Sequence, residues 1–285
     1  MLPVQAQTLD LSTPADAVKA LQKTMCSLDD GEPVVYWWEG NVYSRVPGER
    51  DRHLFSYQGM NVRACKSVSH EKKGYGYRMV SREVLFYMDP ESGKILDTWK
   101  NPWTGDTVDV MHVANDPVNR PPLYANGPRG PFELDVTEKG GWYLYNFEVP
   151  LFYENPLGGK YQEYVGGKYQ ANEMFNFYIP KGALLDASRT GVSNVLIGWS
   201  RMSQWLPWMK MGGRPGQLMY HGIGRRLDNF EDLPEKMRTE IKANYPTFTS
   251  PPPLDDDRPN ETSWTVFKEK LQQQRENKKK EDAEH

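Results

Sequence analysis

REVLFYMDPESGKILDTWKNPWTGDTVDVMHV, residues 82–113, decides how the chain is read. Three runs rich in Val, Ile, Leu, Phe, Tyr and Trp are separated by DPESG (89–93) and NPWTG (101–105). Each separator combines a proline, which presets φ, with a glycine, which accepts positive φ, so each predicts a tight connection. The stretch therefore predicts a three-stranded antiparallel meander. The same texture extends outward from residue 33 to about 225, with candidate strands at 33–38, 41–46, 52–58, 60–66, 75–80, 94–100, 106–113, 131–136, 141–149, 173–179, 192–202 and 216–223 beside 82–88. Short strands at this spacing, with no alternating βαβ pattern, predict a mainly β fold. The expected architecture is a single antiparallel β-barrel or strongly curved sheet, lipocalin-like, with N- and C-terminal helices packed outside.

Helices flank this body. Thr13 can cap a first helix that opens on Pro14 and aligns Val18, Leu21 and Met25. A second is expected from Pro234 to about Ala243, with Met237 and Ile241 on one face. Residues 247–259, with three prolines and three aspartates in succession, predict a solvated linker. Trp264, Phe267 and Leu271 then open an amphipathic helix that ends in a charged tail. The expected division is a domain over 1–250 and a linker plus tail over 251–285. Residues 114–130 and 154–168 predict long loops.

The chain has 285 residues, 38% hydrophobic and 26% charged, with a net charge of -3. Its mean hydropathy is -0.75. Sixteen tyrosines, nine tryptophans and ten phenylalanines supply core material and argue against disorder of the whole chain. Nothing in the charge balance draws it to nucleic acid, and no apolar run is long enough for a membrane helix. Cys26 and Cys65 exclude a disulfide framework or a four-cysteine zinc site. A single bridge is one alternative, and two buried free thiols in the cytoplasm are the expectation. The first residues, MLPVQAQTLDL, carry no export signal, although a trimmed one would leave the same start.

Alternation along the strands sorts side chains into faces. Val195, Ile197, Trp199 and Arg201 share one; so do Tyr143, Tyr145 and Phe147; so do Glu173, Phe175 and Phe177; so do Val108, Val110 and His112. His112 and Arg201 each end an otherwise apolar face, which suggests an aromatic-lined pocket with polar groups at its mouth.

PVVYWWEGNVYSRV (33–46), SRE (81–83), NPWTG (101–105), HVANDPV (112–118) and WLPWMKMG (205–212) together resemble the bacterial domain-of-unknown-function family 1838, over about residues 15 to 250. That resemblance implies no reaction.

There is no phosphate-binding GxxxxGK[ST], no strand-to-helix glycine fingerprint and no GxSxG elbow. Five histidines at 53, 70, 112, 221 and 285 show no metal-ligand spacing, so neither a metal nor another cofactor is expected. What remains is acid–base chemistry in an aromatic cavity. The expected catalytic groups are His112 as base, Arg201 as cation for an oxyanion, His221, and Lys210 with a pKa lowered among tryptophans. The expected substrate-binding residues are Glu83, Asn119, Tyr143, Trp199, Trp205, Trp208 and Tyr220.

The expected function is a cofactor-independent lyase or isomerase acting on a small aromatic, phenolic compound, lignin-derived dimers being one class that fits. C–C cleavage releasing formaldehyde or CO2 is the favoured reaction. The alternatives are a lipocalin-like carrier of an apolar ligand and a structural protein with a tryptophan-rich interface. The expected partner is a small aromatic substrate, without nucleic acid or membrane, and a homodimer stays open.

Overall fold

A computed structural model describes residues 8–154, 157 and 168–284. In chain order the elements are α1 (Pro14–Met25), β1 (Val34–Arg45), β2 (Arg52–His70), β3 (Gly74–Met88), β4 (Thr98–Lys100), β5 (Thr107–Asp109), β6 (Val113–Asn115), β7 (Arg120–Tyr124), β8 (Asn126–Gly127), β9 (Gly130–Pro131), β10 (Val136–Lys139), β11 (Trp142–Glu154), β12 (Lys168–Pro180), α2 (Lys181–Leu185), β13 (Leu196–Ser203), β14 (Gln217–Leu227), α3 (Glu235–Asn244) and α4 (Ser263–Glu284).

Ten strands form one sheet in the order β10-β11-β12-β13-β14-β1-β2-β3-β6, with β7 also on β3. Its pairings are antiparallel. The protein is mainly β, as the alternating runs predict. The hydrogen-bonded ladder stays open between β10 and the β6/β7 edge among the described residues. Yet the sheet curls far enough to bring its two ends together. The Arg120 guanidinium on β7 lies 5.7 Å from the Phe147 ring on β11. Those strands are seven places apart in sheet order, which in a flat sheet would separate them by roughly 34 Å.

Several predicted pairs of short strands are single long ones. Runs 33–38 and 41–46 join as β1, 52–58 and 60–66 as β2, and 75–80 and 82–88 as β3. Gly40 and Gly59 are not turns. A Cβ on Gly40 would lie 2.1 Å from the His221 carbonyl and 2.6 Å from the Tyr57 hydroxyl. One on Gly59 would strike the Trp38 ring. These glycines make room for rings pressed against the backbone. The meander is realised only in part. Asp89–Gly93 is a tight connection with Gly93 at φ 65°, but β4 and β5 leave the main sheet as a separate ribbon around Gly105 at φ 79°. The predicted loop over 114–130 contains β6 to β9. That over 154–168 falls almost wholly outside the described residues.

The inner face of the curl carries Tyr36, Tyr57, Tyr87, Trp199 and Tyr220, packed into one core cluster. The buried residues of α1 and the Trp264, Phe267 and Leu271 stripe of α4 belong to the same cluster. α3 packs on the outer face, where Met237 and Ile241 meet Met60, Val62, Val84 and Phe86. The expectation that the terminal helices lie outside is therefore corrected: their apolar stripes match the inner cluster. The Tyr36 hydroxyl donates to the Thr24 carbonyl, and Arg226 caps the end of α1 through the Lys23 and Cys26 carbonyls.

Cys26 and Cys65 form a disulfide, with Cα atoms 5.8 Å apart, so the expectation of two free thiols is corrected. The 247–259 segment is a packed strap. Asn119 donates to the Asp256 carbonyl at 3.0 Å, and Arg82 donates to the carbonyls of Thr247 and Ser250 at 2.9 and 2.8 Å. Arg258 bridges Asp256 and Asp116, each at 2.8 Å.

Candidate functional site

Register and curl together assemble a polar centre inside the ring-lined interior. On β13, Trp199 and Arg201 alternate with outward residues, and Arg201 stands between Glu173 of β12 and Tyr220 of β14. Its guanidinium donates to Glu173 and, at 2.6 Å, to the Tyr169 hydroxyl. The side chains of Arg201 and Glu173 keep 23% and 18% of their surface accessible, so this ion pair faces space rather than close packing. The Tyr220 hydroxyl lies 3.2 Å from that of Tyr87.

Glu83 enters from β3, with Asn61 and Asn115 beside it in register. Asn115 donates to its carboxylate at 2.7 Å. Burial, followed by the like charge of Glu173, raises the Glu83 pKa above the ordinary 4.5, against the Asn115 hydrogen bond and the fields of Arg201 and Arg63. Burial also raises Tyr87 to about 12 and Tyr220 well above 10, so both phenols stay protonated. They are donors, not bases. Trp199 completes a wall, with ring centroids 5.7 Å from Tyr57 and 5.6 Å from Tyr220.

Of the predicted site residues, Arg201, Glu83, Tyr220 and Trp199 meet here. The others do not join them. His221 follows Tyr220 on the same strand, so it must face the other way, and it is exposed. It lines a shallow depression on the outer face with Glu39, Asn41 and Ile223. His112 lies at the edge of β3, where its Nδ1 accepts from the Tyr87 amide at 3.1 Å. Phe86 stands edge-on to it at 5.4 Å, and burial lowers its pKa to about 4, against the pull of Glu240 and Asp97. Lys210 is exposed, in a left-handed conformation at the end of a short helical turn, so the expected desolvation among tryptophans is absent. Asn119 accepts from the Ser81 amide at 3.1 Å and binds the strap, a structural clip. Trp205 donates to the Arg214 carbonyl, and Trp208 packs against Phe55, Tyr87 and Trp99. Tyr143 is on the inner face but stands by Lys181, 5.7 Å from its ring.

Glu173, Tyr169, Tyr87 and Asn115 escaped the sequence reading. The signal for Glu173 was present, because alternation already grouped it with Phe175 and Phe177. Tyr87 and Asn115 depend on which strands pair. Among the described residues, no three His, Cys, Asp or Glu side chains converge as a metal-ligand set.

No curated protein matches the chain. A family model described as a protein of unknown function, DUF1838, matches residues 31–271, which take in every strand of the curled sheet together with the strap and the buried half of α4. The chain belongs to the DUF1838 family.

Proposed function

We propose that this chain is a cofactor-independent lyase or isomerase acting on a small phenolic compound, with Glu83 as the group that moves the proton. The supporting observation is a half-buried carboxyl on the inner face of β3, held by Asn115 at 2.7 Å, with a pKa raised by burial and by the like charge of Glu173, and near enough to the Tyr87 phenol to act on it. A base of this kind is tuned toward neutral pH by burial. In the favoured reaction Glu83 takes the proton of a side-chain hydroxymethyl group. The O–H pair becomes the C=O of formaldehyde, and the broken C–C bond leaves its pair on the ring-bearing carbon. That carbon then recovers the proton from Glu83. Tyr220 and Tyr87 can donate to oxygen as charge develops, and Arg201, neutralised by Glu173, holds the centre in shape. Lignin-derived phenolic dimers are one class that the ring-lined interior suits.

The Cys26–Cys65 bridge favours an oxidising compartment over the cytoplasm expected from the sequence. The test is a screen of hydroxymethyl-bearing and carboxyl-bearing phenols for released formaldehyde or CO2, with wild type and Glu83→Gln compared. Turnover by the wild type that falls about a hundredfold or more in Glu83→Gln supports the reading. Tight binding of phenols with no turnover would make the protein a carrier instead.

A further inference from the structure

We infer that Arg63 and Arg120 form the anion-recognising end of this site, and that its ligand is an aromatic acid whose carboxylate the two guanidinium groups share. The inference builds on the site of the proposed function and adds the substrate's charge.

Arg63 is on the inner face of β2, two residues from Asn61 and two from Cys65. Its guanidinium lies 4.7 Å from the Tyr36 ring centroid, and its Nε donates to Asn61 Oδ1 at 2.6 Å. Nη1 reaches only the Met25 sulfur, at 3.8 Å. Among the described residues Nη2 has no protein acceptor. Arg120 stands on β7, two strands from Arg63 across β3, with its guanidinium over Phe147, and forms no ion pair among the described residues.

The two cations flank one stretch of β3, Arg63 opposite Ser81 on one side and Arg120 opposite Met79 on the other. At that spacing each acts on the Tyr77 phenol, and Arg120 repels the charge on Arg63. Two other arginines on the inner face are matched: Arg201 with Glu173, and Arg226 with two carbonyls. Glu83 acts on Arg63 without reaching ion-pair distance. Arg63 is half-buried and Arg120 exposed, and two like charges held this near each other, neither in an ion pair among the described residues, repel until an anion joins them. The rings beneath them suit a flat arene, and the forked donors suit a carboxylate. A neutral arene would leave both cations unmatched.

Calorimetric titration of the full chain with 4-hydroxybenzoate and with 4-hydroxybenzyl alcohol tests this without requiring turnover. The wild type should bind the acid at least about tenfold more tightly than the alcohol. Arg63→Met should abolish that preference. Because Arg63 sits in the interior, that variant is read only if its melting temperature is near the wild-type value. The exposed Arg120→Gln keeps the test decisive: it should remove most of the preference and leave affinity for the alcohol within about twofold. Absence of a preference in the wild type, or its full retention in Arg120→Gln, overturns the inference. Glu83→Gln separates the two readings. Full turnover by that variant removes the acid–base reading, while an intact preference for the acid still upholds the Arg63–Arg120 assignment.

Discussion

A carboxyl on β3, Glu83, and an imidazole beside that strand, His112, carry opposite expectations at the scale of single residues. Glu83, raised above 4.5 and acting as base, should give a kcat/KM that climbs with pH through a value above the ordinary carboxylate range. A profile flat from pH 4 to 8 on the screened phenols would remove Glu83 from that role. His112 works on stability. Its folded pKa near 4 lies below the ordinary 6.5, so below pH 6.5 the unfolded chain binds a proton that the folded chain refuses. Its contribution is complete above 6.5 and is lost as pH falls toward 4, by up to about 3 kcal/mol. Denaturant titrations of His112→Gln should show a shallower acid limb, with turnover largely kept; a steep loss of turnover would return His112 to the catalytic centre. Part of this was legible beforehand. Strict alternation placed Trp199 with Arg201, and it also forbade Tyr220 and His221 from sharing a cavity, since adjacent strand residues face apart. Glu83 could not be joined to Asn115 or Arg201, because strand pairing and the curl are properties of the whole sheet.

Glycine separates the elements that turn from those that merely crowd. Gly105 at φ 79° closes the β4–β5 ribbon, with open space where a Cβ would go. Gly105→Val should therefore cost only the backbone strain, about 1–2 kcal/mol, and lower Tm by a few degrees. Gly222 is different: a Cβ there would lie 2.1 Å from the Tyr57 hydroxyl and 2.6 Å from the Glu39 carbonyl. Gly222→Ala should damage folding more than Gly105→Val, and the reverse order of melting temperatures would mean that the sheet bends elsewhere. Asn101 shows how the NPWTG turn is held: its carbonyl oxygen accepts from the Trp103 and Thr104 amides, while its amide donates to the Met209 carbonyl at 2.9 Å. The turn was readable because Pro and Gly signal locally. The same reasoning misled at Gly40 and Gly59, where glycine answers to a ring directly opposite on the neighbouring strand.

For the molecule as a whole, the Cys26–Cys65 bridge ties the end of α1 to β2 across 39 residues of chain. Loop-closure entropy puts its contribution at about 4 kcal/mol, so Cys26→Ala with Cys65→Ala should lower Tm measurably, and an unchanged Tm would mean that the thiols stay reduced in the native protein. The open ladder has another consequence. A sheet hydrogen-bonded all the way round has no terminal strand to release, whereas here the curl is drawn shut between β7 and β11 by side chains such as Arg120 over Phe147. Such a closure behaves like a seam. Amide exchange should start along β6, β7 and β10 and reach β1, β2 and β14 last, because the edge strands can open without disturbing the central ladder. An aromatic acid bridging Arg63 and Arg120 would fasten the edge strand β7 back to β2 on one side of that seam, slowing exchange at β7 far more than at β14; equal slowing at both would mean that the ligand tightens the whole molecule rather than its edge.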